Sequence, residues 1–590
     1  MAFNVKKIAS NLFVLILYSS VLTFAGASHR QDHIFPHKGS TTNQRCEPAP
    51  INLPLLRDCL SSLGSDPYTY LIDPLSHPTY YEVVNHQWNT RHEKVYPPAY
   101  FLPTCTSDVQ NMVRCGLANH IPLVPNSGGH SYESLSYGSN STIIVDFRLM
   151  TSVTLLDDGI TAEIQPGALL ATVYAKLWMA GKRGIPAGMC LTVAIGGNAL
   201  GGGVGYMDAM YGLATDSVVE FEMVTSAGDA VVANEVTNSD LFWALRGVGP
   251  GFIGMVTSLK MKTFDASNIN VTFVSIRYAH LKEFVTAMND LQEWVEWARV
   301  NEPNILLVSG IGHENYTSEF PYYIPGFEIG LYHIQDSTIN PASSDNFFAG
   351  IDLIFGSGHS DPKPRILPVK FPTYLDFISY DLYYTPVNFP LSNGTTVQIG
   401  RISHPILNQD PAFAYPPVGS SPQAFEAVQL KRLLFLKKEM AVERFLKTKS
   451  FFVKRNLTLD EIQGLYDLIQ KIPLNRAWIL ISTEGSRISA VGRTETAYVH
   501  RDALFNFYLN VEAIPQYGDP WGDLDWLYGL WEAGRSFDSG ETYQNYPDLD
   551  LDDHFERNYA ENFDRLVTCK AKWDPENYFN WTLSLPVVVD

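Results

Sequence analysis

Apolar positions in this chain fall into short runs punctuated by glycine and proline, and their spacing switches between two periods. Residues 53–63 repeat at three- and four-residue spacing and predict a helix. Residues 142–146, with Ile143, Ile144 and Val145 consecutive at their centre, predict a short buried strand. Residues 161–165 alternate and are broken by Pro166-Gly167. Leu170, Val173, Tyr174 and Leu177 return to helical spacing, with Gly181 as the expected stop. Residues 218–224 alternate again, and Asp240 is the expected cap of a short helix through Leu245. This succession lacks regular βαβ units, so it predicts an α+β architecture rather than a doubly wound parallel sheet.

The pattern changes at about residue 271. Residues 271–276 predict a strand, and a helix rich in Glu and Trp follows around 281–299. Residues 301–425 are rich in Pro, Tyr, Phe and Ser with little periodicity, and predict strands of an antiparallel sheet joined by long loops. Residues 430–447 predict an amphipathic helix, with Leu430, Leu433, Leu434, Ala441 and Phe445 on one face and Arg432, Glu439 and Glu443 opposite.

Length and composition narrow the class. A chain of 590 residues is too long for one core, and 45% hydrophobic with 18% charged residues describes a globular protein. A net charge of −20 argues against nucleic acid and anionic membranes as partners. Lys6-Lys7, an apolar run from Leu12 to Leu22 and Ala25-Gly26-Ala27 predict a signal peptide over 1–27. Sequons at Asn140, Asn270, Asn315, Asn393, Asn456 and Asn580 agree with a secreted, extracellular glycoprotein. The acidic run Asp548, Asp550, Asp552 and Asp553 lacks the Gly and Glu of an EF-hand and is read as a solvated loop. No metal site is expected.

Candidate chemistry lies in two glycine-rich segments. Ser127-Gly128-Gly129-His130-Ser131-Tyr132 is a turn that exposes backbone N–H groups and delivers an imidazole beside them. Cys190 stands just before Gly196-Gly197 and Gly201-Gly202-Gly203-Val204-Gly205. Such glycines let backbone amides approach an anion, so the pair reads as a diphosphate cradle with two nucleophilic side chains aimed at what the diphosphate carries.

These segments, with residues 240–247, Tyr543-Gln544-Asn545-Tyr546-Pro547-Asp548 and the segment 572–579, resemble the berberine-bridge-enzyme-like branch of the FAD-linked oxidases. That branch belongs to the vanillyl-alcohol-oxidase, or PCMH-type FAD-binding, superfamily. The resemblance implies a PCMH-type FAD-binding domain over 28–270, a separate antiparallel-sheet substrate domain over 271–535, and a C-terminal berberine-bridge segment over 536–590 that completes the first domain. It implies FAD held through two covalent bonds, from His130 and Cys190 to the 8α-methyl and C6 positions of the flavin. Ser127, Gly128, Gly129, Ser131, Val193, Gly196, Gly197 and Asn545 are the further expected cofactor contacts. It also implies a Cys59–Cys115 disulfide, which leaves Cys46–Cys105 as a possible second bridge and Cys569 over.

The same resemblance places Tyr132, Tyr508, Tyr543 and Tyr546 toward the substrate. Tyr543 is the expected base, sharing a face with Asn545 on a strand, and Tyr546 is the fallback. A phenol near pKa 10 needs a perturbing neighbour for that task. Val193 is small enough to leave dioxygen room. Several carbohydrate-oxidising relatives carry a tyrosine where this chain has Val204. The leading expectation is a secreted, monomeric oxidase passing hydride from an alcohol or hemiacetal carbon of an oligosaccharide to FAD and then to O2, giving H2O2. Oxidative cyclisation or dehydrogenation of a small aromatic or alkaloid-like metabolite is the second reading. A flavin-bearing binding or defence protein is the third.

Overall fold

The first sheet orders its strands Leu71–Ile72, Ala99–Phe101, Ile143–Asp146 and Leu123–Asn126, the last three parallel. Ile143, Ile144 and Val145 are fully buried, which explains a continuous apolar run rather than alternation. Helices Leu53–Ser62 and Thr106–Ala118 are joined by the Cys59–Cys115 disulfide. A second, antiparallel sheet orders Val153–Leu155, Thr161–Ile164, Met255–Lys262, Val218–Val224 and Ala230–Asn234. Helix Leu170–Gly181 buries Leu170, Val173, Tyr174, Leu177 and Trp178, the residues that carried the helical spacing.

The computed structural model describes residues 51–587 except 279, 303–304, 313–325, 337, 339–343, 357–363, 381–386, 391–395, 400–413, 415, 417–419, 437–442, 474–475 and 514–518. The predicted signal peptide, Cys46, Asn315 and Asn393 lie outside the described residues. Asn140 and Asn580 are exposed, whereas Asn270 and Asn456 are half-buried. No helix among the described residues is long and apolar enough to cross a membrane.

A seven-stranded antiparallel sheet opens at Ile269. Its order is Arg365–Phe371, Ile269–Tyr278, Gly326–Asp336, Ile305–Gly312, Ala477–Thr483, Phe505–Ala513 and Phe445–Val453. Helices Phe284–Asn301, Leu459–Ile469 and Leu524–Gly534 cover one face around a core that includes Trp294, Ile462, Phe507 and Leu527.

The C-terminal residues return to the first half of the chain. Tyr559 donates its hydroxyl to the Val248 carbonyl at 2.6 Å, Tyr578 to that of Ile121 at 2.8 Å, and the Trp581 indole to that of Leu135 at 2.9 Å. Lys570, fully buried, pairs with Asp574 at 2.6 Å and donates to the carbonyls of Phe252 and Phe579.

Several local expectations are corrected. The helix expected over 430–447 runs instead over Pro422–Phe435, started by Ser421, whose hydroxyl accepts the Ala424 N–H, and by Pro422 in the first turn. Arg432, assigned to the polar face, is buried there. Phe445–Val453 is an edge strand; its alternation is disguised because Lys447 and Lys449 are buried in the same row as Phe445 and Phe451. Within 301–425 the helices Ser344–Ile354 and Tyr374–Tyr380 stand among the expected strands. Asn238 rather than Asp240 precedes the short helix Ser239–Leu245; Gly181 does end the helix Leu170–Gly181 as expected, with Lys182 after it in the left-handed conformation.

Candidate functional site

The Ser127–Tyr132 loop follows the strand Leu123–Asn126 and is pinned from outside. The Trp88 indole and the Tyr137 hydroxyl both donate to the Gly129 carbonyl at 2.9 Å. A Cβ on Gly128 would lie 2.6 Å from the Ala194 nitrogen, so only glycine lets this loop lie against the segment after Cys190. That segment is itself a tight turn, with the Val193 N–H donating to the Cys190 carbonyl at 3.1 Å. The Val193 carbonyl accepts from Leu170 and the Gly196 N–H donates to Pro166, which ties the turn to helix Leu170–Gly181. Gly197 is exposed and a Cβ there would meet nothing within 4 Å. Ser131 is occupied locally, its hydroxyl accepting the Leu135 N–H at 3.2 Å.

Four tyrosines gather beside Cys190, whose thiol is exposed. The Tyr508 and Tyr546 rings stack with centroids 4.4 Å apart, and Tyr132 stacks on them at 6.0 and 5.5 Å. Cys190 acts electrostatically on both Tyr132 and Tyr546, which places the thiol beside the stack. Residues 543–546 form a turn, not the expected strand, closed by the Tyr546 N–H on the Tyr543 carbonyl at 2.9 Å. The turn therefore brings Tyr543 edge-on to Tyr546 at 4.8 Å, where a strand would have sent them to opposite faces. Asn545 turns inward and donates to the Asn198 carbonyl and the Tyr543 oxygen, each at 3.0 Å.

Tyr543 differs from its neighbours in its donors. Its oxygen accepts the backbone N–H groups of Gly203 at 3.0 Å and Val204 at 3.1 Å, besides the Asn545 amide. Burial pushes the phenol up to about 12, and the three donors oppose that rise. Burial carries Tyr132, Tyr498, Tyr508 and Tyr546 well above 10. Gly203 has φ +77°, and a Cβ on it would lie 2.5 Å from that of Ala214. Gly203→Ala is expected to cost about 1–3 kcal/mol and to displace a donor of Tyr543. Thermal unfolding, with flavin absorbance measured alongside, checks this.

Sequence reasoning missed several parts of the site. Glu133, one residue after Tyr132, is buried and pairs with Arg91 and with Lys447 at 2.8 Å. Lys447 also binds Asp548 at 2.6 Å and Asp550 at 2.9 Å, and Lys449 binds Asp548 at 2.7 Å. The acidic run is thus no solvated loop at Asp548, which is 6% exposed. This network joins the histidine loop, the edge strand of the large sheet and the C-terminal segment. The pattern Lys447-Thr448-Lys449 in a strand of aromatics was the available signal. Nothing near Trp88 or Tyr137 in sequence pointed to the Gly129 carbonyl.

The comparisons agree with this arrangement. A FAD binding domain family model matches residues 97–234, and a berberine and berberine-like model matches residues 542–586. The chain is 28% identical over 497 residues to a chitooligosaccharide oxidase from Gibberella zeae, covering 82% of this chain and 86% of that one. A xylooligosaccharide oxidase from Thermothelomyces thermophilus is 36% identical over 248 residues, 42% of this chain and 48% of that one. Among solved structures, Physcomitrella patens BBE-like 1 superposes with a TM-score of 0.71 at 24% identity, covering 91% of this chain and 100% of that one. The fold and site therefore define an FAD-binding oxidoreductase with a PCMH-type cofactor domain and an antiparallel sheet facing it. More narrowly, its two matched segments and its full-length relatives are similar to those of the berberine-bridge-enzyme-like FAD-linked oxidoreductases.

The residues present fit the cofactor. Gly128 lets the two glycine loops lie against each other, Gly197 leaves backbone uncovered, and an imidazole and an exposed thiol stand in these two loops. Of the other sulfurs, Cys105 is exposed and contacts the Ser107 hydroxyl at 3.0 Å, and burial pushes the Cys569 thiol up to about 12.

Proposed function

We propose that this protein is a secreted oxidase that removes hydride from an alcohol or hemiacetal carbon of an oligosaccharide and reduces O2 to H2O2. The observation that carries the reading is the three-donor environment of the Tyr543 oxygen, which makes it the most readily ionised member of a buried tyrosine cluster. Such an oxygen suits the proton side of alcohol oxidation. The bound FAD supplies the hydride acceptor. Tyr132, Tyr508 and Tyr546 present the flat, amphipathic surfaces on which a sugar ring packs, with Trp478 edge-on to Tyr508 at 5.0 Å. Two relatives named as oligosaccharide oxidases support the substrate class. Val204 stands where some carbohydrate oxidases carry tyrosine, and its N–H donates to Tyr543 while its side chain packs on the cluster. The leader sequence and the exposed sequons Asn140 and Asn580 support secretion.

In this reading His130 and Cys190 both bond the flavin. Acid-precipitated, denatured protein is expected to stay yellow, and a tryptic map to show one flavin joining both peptides; free flavin in the supernatant would refute the double bond. Cys190→Ala is expected to retain a histidyl flavin and reduce it more slowly. The function itself is tested by anaerobic flavin bleaching against panels of oligosaccharides and of aromatic metabolites, followed by peroxide detection in air. Bleaching by the aromatic panel alone would replace alcohol oxidation with oxidative ring closure.

A further inference from the structure

Beyond the end of strand Ala477–Thr483 lies a cavity of about 70 Å³. Its polar lining comes from Asp208, Arg299, Glu302, Glu484 and Ser486. That volume gives room for roughly five waters. Glu484 is 2% exposed, and neither of its carboxyl oxygens has a hydrogen-bond partner among the described residues. Tyr498 is fully buried with its hydroxyl in the same condition, and its ring lies 6.1 Å from that of Tyr543. The orphaned Glu484 oxygens, in a cavity whose walls carry several polar groups, are what ordered water satisfies. The Glu484 carboxyl acts electrostatically on Tyr498, Tyr546 and Asp208, so it stands on the tyrosine side of the cavity.

A phenol that titrates near 12 is neutral at physiological pH, and it can take the substrate's proton only by passing its own onward. We propose that Glu484 is the acceptor of that proton, relayed from Tyr543 through the Tyr498 hydroxyl and water in the cavity. The inference rests on the alcohol-oxidation reading above. The substrate's C–H bond breaks with its electron pair going to the flavin. Its O–H bond breaks as the carbonyl forms, and an O–H bond forms on Glu484. When O2 takes the two electrons and becomes H2O2, it takes the transferred hydrogen and this stored proton, so no other reactant is needed.

The surroundings suit a reversible store. Burial pushes the Glu484 carboxyl up to about 8, with Arg501 pulling the other way. Asp208 and Glu302 face the same cavity and burial raises both, so they share its basic character, and Glu484 is set apart by its two oxygens without hydrogen-bond partners. Asp208 is further held by the Gly205 N–H at 2.8 Å. Arg299 is exposed at the cavity wall and donates to the Glu484 and Ala503 carbonyls rather than to a carboxylate. The acceptor form is the carboxylate, so flavin reduction should accelerate as pH rises through about 8.

Stopped-flow flavin reduction by a bleaching oligosaccharide, followed across pH in holoenzyme, tests this. Glu484→Gln should abolish the limb near pH 8 and lower the high-pH rate roughly 10²-fold; Glu484→Asp should keep the limb. Tyr498→Phe should lose rate while keeping the limb. Without turnover, the infrared difference between wild type and Glu484→Gln should show a protonated carboxyl band that fades as pH rises through about 8. An unchanged limb and rate in Glu484→Gln, or no titrating band, overturns the assignment. Failure of every oligosaccharide to bleach the wild type overturns the alcohol reading itself, an outcome distinct from a bleached flavin with an unaltered Glu484→Gln profile.

Discussion

Tyr543→Phe should slow flavin reduction by about 10²–10⁴-fold while leaving substrate affinity nearly unchanged, because the lost hydroxyl acts on the departing proton rather than on binding. The ring's contacts with Tyr498 and Tyr546 survive the change, so flavin content should persist. The Gly203 and Val204 N–H groups lose their acceptor, at a cost of about 1–3 kcal/mol for each that stays dry. Stopped-flow bleaching measures the first effect and thermal unfolding the second, and the two are separable because reduction is read on folded holoenzyme. A normal reduction rate in this variant, with a large loss in Tyr546→Phe, would transfer the role to the stacked tyrosine.

The second large effect is on stability. Lys447→Met should destabilise the fold by about 3–5 kcal/mol, because it leaves Glu133 and Asp548 buried without their shared ammonium. The pH dependence carries its own sign. Burial alone would raise Glu133, but a hydrogen bond from His92 and the charges of Lys447 and Arg91 hold it down at about 2. The unfolded chain, titrating near the ordinary 4.5, then binds more protons than the folded one between these values. Wild-type stability should therefore climb as pH rises from about 2 to about 4.5, by about 3 kcal/mol, and hold that gain above. Denaturant titrations across pH should show this step shrunken in Lys447→Met. A step of equal height in both proteins would remove Lys447 from its cause.

Much of the cofactor side was legible because it is local. The helix Leu170–Gly181, the strands Thr161–Ile164 and Val218–Val224, and the tight loop Ser127–Tyr132 each follow from spacing or glycine content within a few residues. The motifs around His130, Cys190 and Tyr543 likewise pointed to FAD, and they lie within the segments that the FAD binding domain and berberine-like models match. The substrate side was less legible. The expected helix over 430–447 ran into the start of Phe445–Val453, where the buried Lys447 and Lys449 break the apolar alternation, and those lysines are tolerable inside only because Glu133 and Asp548 arrive from residues hundreds of positions and about a hundred positions away.

The sequence by itself determined the class of cofactor and the local elements that carry its candidate site, since these depend on residue type and short-range backbone freedom. Only the tertiary structure decided how the tyrosines are used. The 543–546 turn, the register of Tyr508 on its strand and the Gly203–Val204 amides meet across gaps of some 35 and 340 residues, and only their meeting makes one phenol more acidic than its neighbours. The Glu484 cavity is of the same kind. A glutamate after a strand is unremarkable in sequence, and its carboxyl is proposed as a proton store only because residues distant in sequence, among them Asp208, Trp294 and Glu302, line the cavity with it and burial strips away the bulk water that would have kept it an ordinary acid.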